Sequence, residues 1–247
     1  VKFTSNKCDR VIVSIFINPT QFTEEEDFEI YPQTQDADCV LIKEAGGNAV
    51  FIPDISEMYP KGFSTKVSVS GLTNIMCGAS RPGHFDGVTQ VVTKLLNQAS
   101  ANNVYFGEKD WQQLAIIKRL VSDLDIPTNI VSVPTVRDEF GLALSSRNSY
   151  LNSSQLQTAQ NLSSVLQKAA YNIAAGGCSS VECDLASKIL LNSGIDKIDY
   201  IECRNSHSLK LIERTNEDEC RIFAAVYIDN VRLIDNSKFP WVILIPK

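Results

Sequence analysis

The chain has 247 residues, 44% of them hydrophobic and 21% charged, with a formal net charge of −6 and a sequence pI near 5.0. That length fits one large or two modest domains, each able to bury a core. The acidic balance excludes the basic field of a nucleic-acid binder. No apolar run approaches the roughly 18 residues of a membrane helix, and no secretory signal stands at the start.

Arg10 to Ile17 is a nearly continuous β-branched run, which predicts a strand buried on both faces. Asn18-Pro19-Thr20 punctuates it, because the residue before proline is pushed out of helical geometry. From Thr34 to Ala45 the apolar positions Ala37, Val40, Leu41 and Ala45 predict a helix face, ended by Gly46-Gly47. Ala49 to Pro53 reads as the next strand. Val88, Val91, Val92, Leu95 and Leu96 form one helix face, Asn103 to Gly107 a strand, Leu114 to Leu124 an amphipathic helix, and Thr128 to Val133 another strand. This rhythm predicts an α/β fold, a doubly wound parallel sheet with ligands beyond the carboxyl ends of its strands.

The second half changes character. A long helix is expected from Ser153 to about Ala175, stopped by Gly176-Gly177, and a shorter one from Ser180 to Leu191. Strands follow at Lys197–Cys203, Cys220–Ile228 and Val231–Asp235, the last two joined by the hairpin signal Asp229-Asn230. The expected organisation is a sheet domain over 1–135 and a small α+β domain over 136–247.

The seven cysteines, at 8, 39, 77, 178, 183, 203 and 220, are odd in number and lack a Cys-x-x-Cys pair. They read as reduced thiols of a cytoplasmic protein. With His84 and His207 as the two histidines, no metal site is expected. Asp36, Asp38 and the run Glu24 to Asp27 read as solvated carboxylates.

Two loops carry the strongest chemical signal. Gly107-Glu108-Lys109-Asp110 follows a strand and opens a helix whose free N–H groups suit a phosphate; the bland alternative is a charged turn capped by Asp110. Leu144-Ser145-Ser146-Arg147-Asn148 sets two hydroxyls beside a guanidinium, although an ordinary interdomain hinge would read the same way. Together they place a lysine and an arginine where both could reach one polyanion. Arg81-Pro82-Gly83-His84 could hold a carboxylate or phosphate, or His84 could be a satisfied structural histidine. Gln21 and Gln113 are either surface residues or amides for a small polar acid.

Taken in order, these stretches resemble the pantoate–β-alanine ligase family. The resemblance runs from about Val11 to Asn236. It includes Ser14 to Phe22, Tyr31-Pro32, Arg81 to Val88, Gly107 to Gln113, Val133 to Arg137, Leu144 to Asn148 and Arg232 to Asn236. It implies a Rossmann-like nucleotidyltransferase domain holding ATP and pantoate, followed by a lid-like domain. The implied reaction uses ATP and Mg2+ to make pantoyl adenylate, releasing pyrophosphate, and β-alanine then displaces AMP. The assembly implied is a homodimer.

Carried over by position, Gln21 and Gln113 would hold pantoate, with Tyr31, Arg81 and His84 lining or supporting the substrate side. Gly107, Glu108, Lys109, Asp110, Val136, Leu144, Ser145, Ser146 and Arg147 would meet ATP. Lys109, Ser146 and Arg147 would stabilise charge building on the phosphates. Methionine is more usual in the family where Leu144 stands.

The resemblance departs at both ends. The family's His-x-Gly-His element and its first strand, expected near the sheet centre, fall upstream of Val1. Either the numbering begins inside a longer protein, the preferred reading, or the chain is a remnant that binds pantoate or nucleotide without adenylation. At the other end, an apolar tail over 239–247 extends past the family pattern.

Overall fold

The computed structural model describes residues 1–22, 34–214 and 219–239. The chain forms two units, one of residues 1–106 and 116–133, the other of residues 107–115 and 134–247. The segment 107–115, grouped with the first domain on sequence, therefore packs with the second unit.

In the first unit a short helix α1 (Lys2–Ser5) precedes strand β1 (Ile12–Ser14), and helix α2 (Gln35–Glu44) leads to β2 (Ala49–Phe51). β1 and β2 pair in parallel, Val13 opposite Val50. Short helices α3 (Ile55–Met58) and α4 (Cys77–Ser80) come before the long α5 (His84–Ala99). Strand β3 (Asn103–Gly107) pairs with β4 (Asn129–Val133), and α6 (Trp111–Asp123) lies between them in sequence. The strand–helix–strand succession is the α/β pattern expected.

Two expectations fail in detail. Ile12 is 58% exposed, so β1 is not buried on both faces. Among the described residues β1 has a ladder partner along one edge alone, and of its two apolar side chains Ile12 is exposed and Val13 partly buried. On α2, Val40 and Leu41 are exposed, whereas Ile42 is buried, with Asp38, Cys39 and Ala45 partly covered. The helix is present but turned by about one residue, roughly 100°. Periodicity gave its spacing correctly and its orientation wrongly.

The core of the first unit draws on α5 (Val88, Val91, Val92, Leu96) and α6 (Ile116, Ile117, Leu120), all buried. Their i, i+3, i+4 spacing is what makes each helix amphipathic.

The second unit is a three-stranded antiparallel sheet with helices. Its strands are β5 (Lys197–Asn205), β6 (Cys220–Ile228) and β7 (Val231–Lys238), in the order β5-β6-β7. Asp229-Asn230 makes the two-residue turn between β6 and β7, with Asp229 at φ 49, the left-handed conformation such turns require. The long helix expected from Ser153 is divided at Gln160 into α7 (Ser153–Ala159) and α8 (Asn161–Ala174). Gln160 itself keeps helical φ and ψ. With α9 (Ser179–Asn192) these helices bury Leu162, Leu166, Ile173 and Leu190 against Ile222 and Val226 of β6. β6 is buried along nearly its whole length, as the central strand of three should be.

Candidate active site

In the first unit, the chain leaving β1 enters a single 3-10 turn, Pro19–Gln21. Asn18, 1% exposed, organises it. Its Oδ1 accepts hydrogen bonds from the Thr20 hydroxyl at 2.9 Å and the Tyr59 hydroxyl at 2.8 Å. Its Nδ2 donates to the Gly87 carbonyl at 3.1 Å and to Gln21 Oε1 at 3.4 Å. Proline at the first position fits because its fixed φ suits a helix start and its missing N–H is not needed there.

The turn lies directly on α5. A Cβ at Gly87 would come within 2.2 Å of the Thr20 carbonyl oxygen, so only glycine permits this approach. Gly83, at φ +84, turns the chain into α5 and delivers buried His84 as its first residue. His84 Nδ1 lies 2.7 Å from the Gln21 carbonyl oxygen, and its Nε2 lies 3.0 Å from Arg81 Nη1. A carbonyl only accepts and a guanidinium only donates, so these two contacts match the imidazole tautomer that carries its proton on Nδ1. Gln21, Arg81 and His84 thus form one cluster. Both nitrogens of His84 are engaged within it, which makes the residue a support for Gln21.

In the second unit, Glu108–Asp110 form a 3-10 turn that runs directly into α6. Gly107 has ordinary extended geometry, and a Cβ there would meet no atom within 4 Å. Its small size leaves open space beside the loop and relieves no backbone strain. Lys109 lines a cavity together with Ser145, Arg147, Asn148, Arg232 and Asp235. Ser145 caps a second 3-10 turn, Ser146–Tyr150, its hydroxyl accepting from the Arg147 N–H at 3.3 Å. Asn148 donates from Nδ2 to the Ala143 carbonyl at 3.0 Å, while its buried Oδ1 has no hydrogen-bond partner among the described residues.

The two loops expected to share a polyanion therefore do meet. Three cations, Lys109, Arg147 and Arg232, border one cavity. Arg232 is held by Asp199 at 2.7 Å and Asp235 by Arg137 at 2.7 Å. The hydrogen bond from Arg137 to Asp235 raises the guanidinium's pKa further above its ordinary value. The lining carries groups that bind phosphate oxygens: the Lys109 ammonium, the Arg147 guanidinium fork and the Ser145 hydroxyl.

The remaining candidates sit nearby in sequence but differ in exposure. Val136 is 63% and Leu144 54% exposed, Ser146 and Asp110 are exposed, and Gln113 is partly exposed on α6. Tyr31 lies outside the described residues, as do the acidic run 24–27 and the tail beyond Phe239.

Several residues without an assigned sequence role organise the candidate loops within each unit. Asn18, Arg137, Arg221, Asp235 and Asn236 are buried or partly buried polar groups joined to the candidate loops by hydrogen bonds. For Arg221, Asp235 and Asn236 the signal available was polar residues set in strands with apolar neighbours, where burial demands a partner.

Comparison with known proteins bears on the family and the fold. The family model described as Pantoate-beta-alanine ligase matches residues 1–238. Pantothenate synthetase of Dinoroseobacter shibae is 50% identical over 230 residues, spanning 93% of this chain and 82% of the relative. That of Paramagnetospirillum magneticum is 47% identical over 228 residues, 92% of this chain and 80% of the relative. Among solved structures, pantothenate synthetase from Thermus thermophilus superposes with a TM-score of 0.91 at 37% identity, covering 97% of this chain and 87% of that one. Pantoate-beta-alanine ligase from Francisella tularensis, complexed with beta-gamma ATP and beta-alanine, gives 0.79 at 36% identity, covering 96% and 82%. These likenesses show the nucleotidyltransferase-type α/β fold with its separate small sheet domain, and the chain belongs to the pantoate-beta-alanine ligase family.

Proposed function

We propose that this chain joins pantoate to β-alanine with ATP, forming pantothenate, AMP and pyrophosphate through a pantoyl adenylate. The observation that carries the reading is the meeting of Lys109, Ser145 and Arg147 at one cavity, in a chain 50% identical to a pantothenate synthetase. The same likeness, over 93% of the chain, favours a ligase over a remnant that binds without reacting.

In the first step a pantoate carboxylate oxygen attacks the α-phosphorus. The bond to the bridging oxygen breaks and pyrophosphate leaves with the electron pair. Negative charge grows on the phosphate oxygens, where Lys109, Ser146 and Arg147 are assigned to stabilise it. Gly107, Glu108, Asp110, Val136, Leu144 and Ser145 are assigned to the nucleotide. Gln21 and Gln113 are assigned to pantoate, because neutral amides bind hydroxyls and carboxylate without quenching the nucleophile. In the second step the β-alanine amine attacks the acyl carbon, loses a proton, and AMP departs.

Mg2+ would enter on the triphosphate, a mode that needs only one or two protein oxygens. Among the described residues no group of three or more His, Cys, Asp or Glu side chains is placed to hold a metal ion. The homodimer and the cytoplasmic setting belong to the same proposal. No helix among the described residues is long and apolar enough to cross a membrane.

The test is product analysis with all three substrates. Equal amounts of AMP, pyrophosphate and pantothenate are expected. ADP with inorganic phosphate would overturn the adenylate route.

A further inference from the structure

Two consecutive residues of β7 grip the two candidate nucleotide loops from opposite sides. Successive strand residues point to opposite faces of a sheet. Asp235, 3% exposed, accepts both prongs of Arg137, Nη1 at 2.7 Å and Nη2 at 2.9 Å. Arg137 Nη1 also donates to the Gly141 carbonyl at 3.0 Å, and Leu144 N–H to the Val136 carbonyl at 2.9 Å. The segment that delivers Ser145 and Arg147 is thereby tied to β7.

Asn236, 4% exposed, faces the other loop. Its Nδ2 donates to the carbonyls of Glu108 and Lys109, each at 2.9 Å. Its Oδ1 accepts from Arg221 Nη1. Arg221 in turn donates to the Glu108 carboxylate at 3.3 Å and lies 3.5 Å over the Trp111 ring. Trp111 is pinned by its indole N–H to the Ser206 carbonyl at 2.7 Å. Asn236 and Arg221 therefore bind the backbone and side chain of the lysine loop and leave the Lys109 ammonium to other uses. The two halves are also linked directly, because the Asn236 N–H donates to Asp235 Oδ1 at 2.7 Å.

We propose that Asp235 and Asn236 are positioning residues that fix the spacing between Lys109 and the Ser145–Arg147 segment, and with it the fit of a triphosphate. The proposal rests on the assignment of these loops to ATP. It does not require that pantoate be the acid activated.

The test is a double-mutant cycle read by binding. An ATP analogue with a methylene between its α- and β-phosphorus atoms is titrated calorimetrically, with magnesium, into wild type, Asn236→Asp, Lys109→Ala and the double variant. Asn236→Asp keeps shape but loses both donors. It is expected to weaken the analogue about 10-fold in the wild-type background and less than about 2-fold on Lys109→Ala, because residues acting through one another are not additive. Equal losses in both backgrounds would mean a structural role only and would overturn the proposal. Asp235→Asn is tested in the same way against Arg147→Ala.

Should Asn236→Asp fail to fold, Asn236→Ser takes its place, and faster amide exchange over 107–111 is expected in either variant. Unchanged exchange there would count against the proposal. Wild type that binds the analogue but does not exchange pyrophosphate would refute the ligase reading while leaving this proposal standing. A folded wild type that does not bind the analogue would refute this proposal.

Discussion

His84 Nδ1 lies 2.7 Å from the carbonyl oxygen of Gln21, and that contact makes the histidine a holder of the glutamine. His84→Ala removes one partner of the Gln21 carbonyl and one of the Arg81 guanidinium, each partly buried, at about 1–3 kcal/mol for a lost partner. The expected result is a KM for pantoate raised about 10-fold with the KM for ATP nearly unchanged, since 1.4 kcal/mol is a factor of ten. Steady-state kinetics with each substrate varied checks it. An equal rise for ATP would remove His84 from the pantoate side.

Gly87 makes a second demand on the same turn. A Cβ there would lie 2.2 Å from the Thr20 oxygen and 2.7 Å from the Gln21 Cα, and both are backbone atoms that cannot swing aside. Gly87→Ala should cost about 1–3 kcal/mol through this overlap and displace Gln21. Thermal unfolding and pantoate titration should both register the change. Unaltered stability would contradict the close packing of the turn on α5.

Lys109 and Arg147 are assigned to charge that appears only as pyrophosphate leaves. Replacing either with alanine should lower kcat by about 100- to 1000-fold, the usual loss when one preorganised donor is removed. Pantoate affinity should hardly change. A variant with normal kcat and a raised KM for ATP would show ground-state binding alone.

Burial pushes the thiols of Cys183 and Cys203 up from an ordinary 9.0 to about 12. Below about pH 9 both folded and unfolded thiols are protonated and stability is unaffected. Between 9 and about 12 the unfolded chain releases protons that the folded chain retains, so stability falls as pH rises. Melting temperatures measured from about pH 8 to about pH 10.5 should decline more steeply in wild type than in a Cys183→Ala/Cys203→Val variant. Parallel slopes would contradict this origin of the alkaline loss. Cys178 behaves oppositely, because the Ser180 hydroxyl lowers its pKa, and thiol-specific reagents should label it ahead of Cys183 and Cys203.

Elements whose burial follows from their own periodicity were legible in the sequence. α5, α6 and α9 are examples, as are the three strands of the second unit and the Asp229-Asn230 turn. Legibility ended where packing decides. The apolar residues of β1 could not report that Ile12 would be exposed, and the spacing in α2 could not report that Ile42, and neither Val40 nor Leu41, faces inward. At the candidate site, Lys109, Ser145 and Arg147 were visible as charge and hydroxyls near glycine and turn signals. Asn236 and Arg221 were not, because their importance lies in contacts 127 and 113 positions away in sequence. Asn18 was read only as part of a turn signal, although all its polar side-chain atoms are used.

The most direct test of the central claim is pantoate-dependent exchange of labelled pyrophosphate into ATP, run with magnesium and without β-alanine. Robust exchange that disappears when pantoate is omitted is the predicted result, because it requires reversible formation of an acyl adenylate. A folded protein that binds pantoate yet exchanges no pyrophosphate would contradict the assignment of adenylation to this chain.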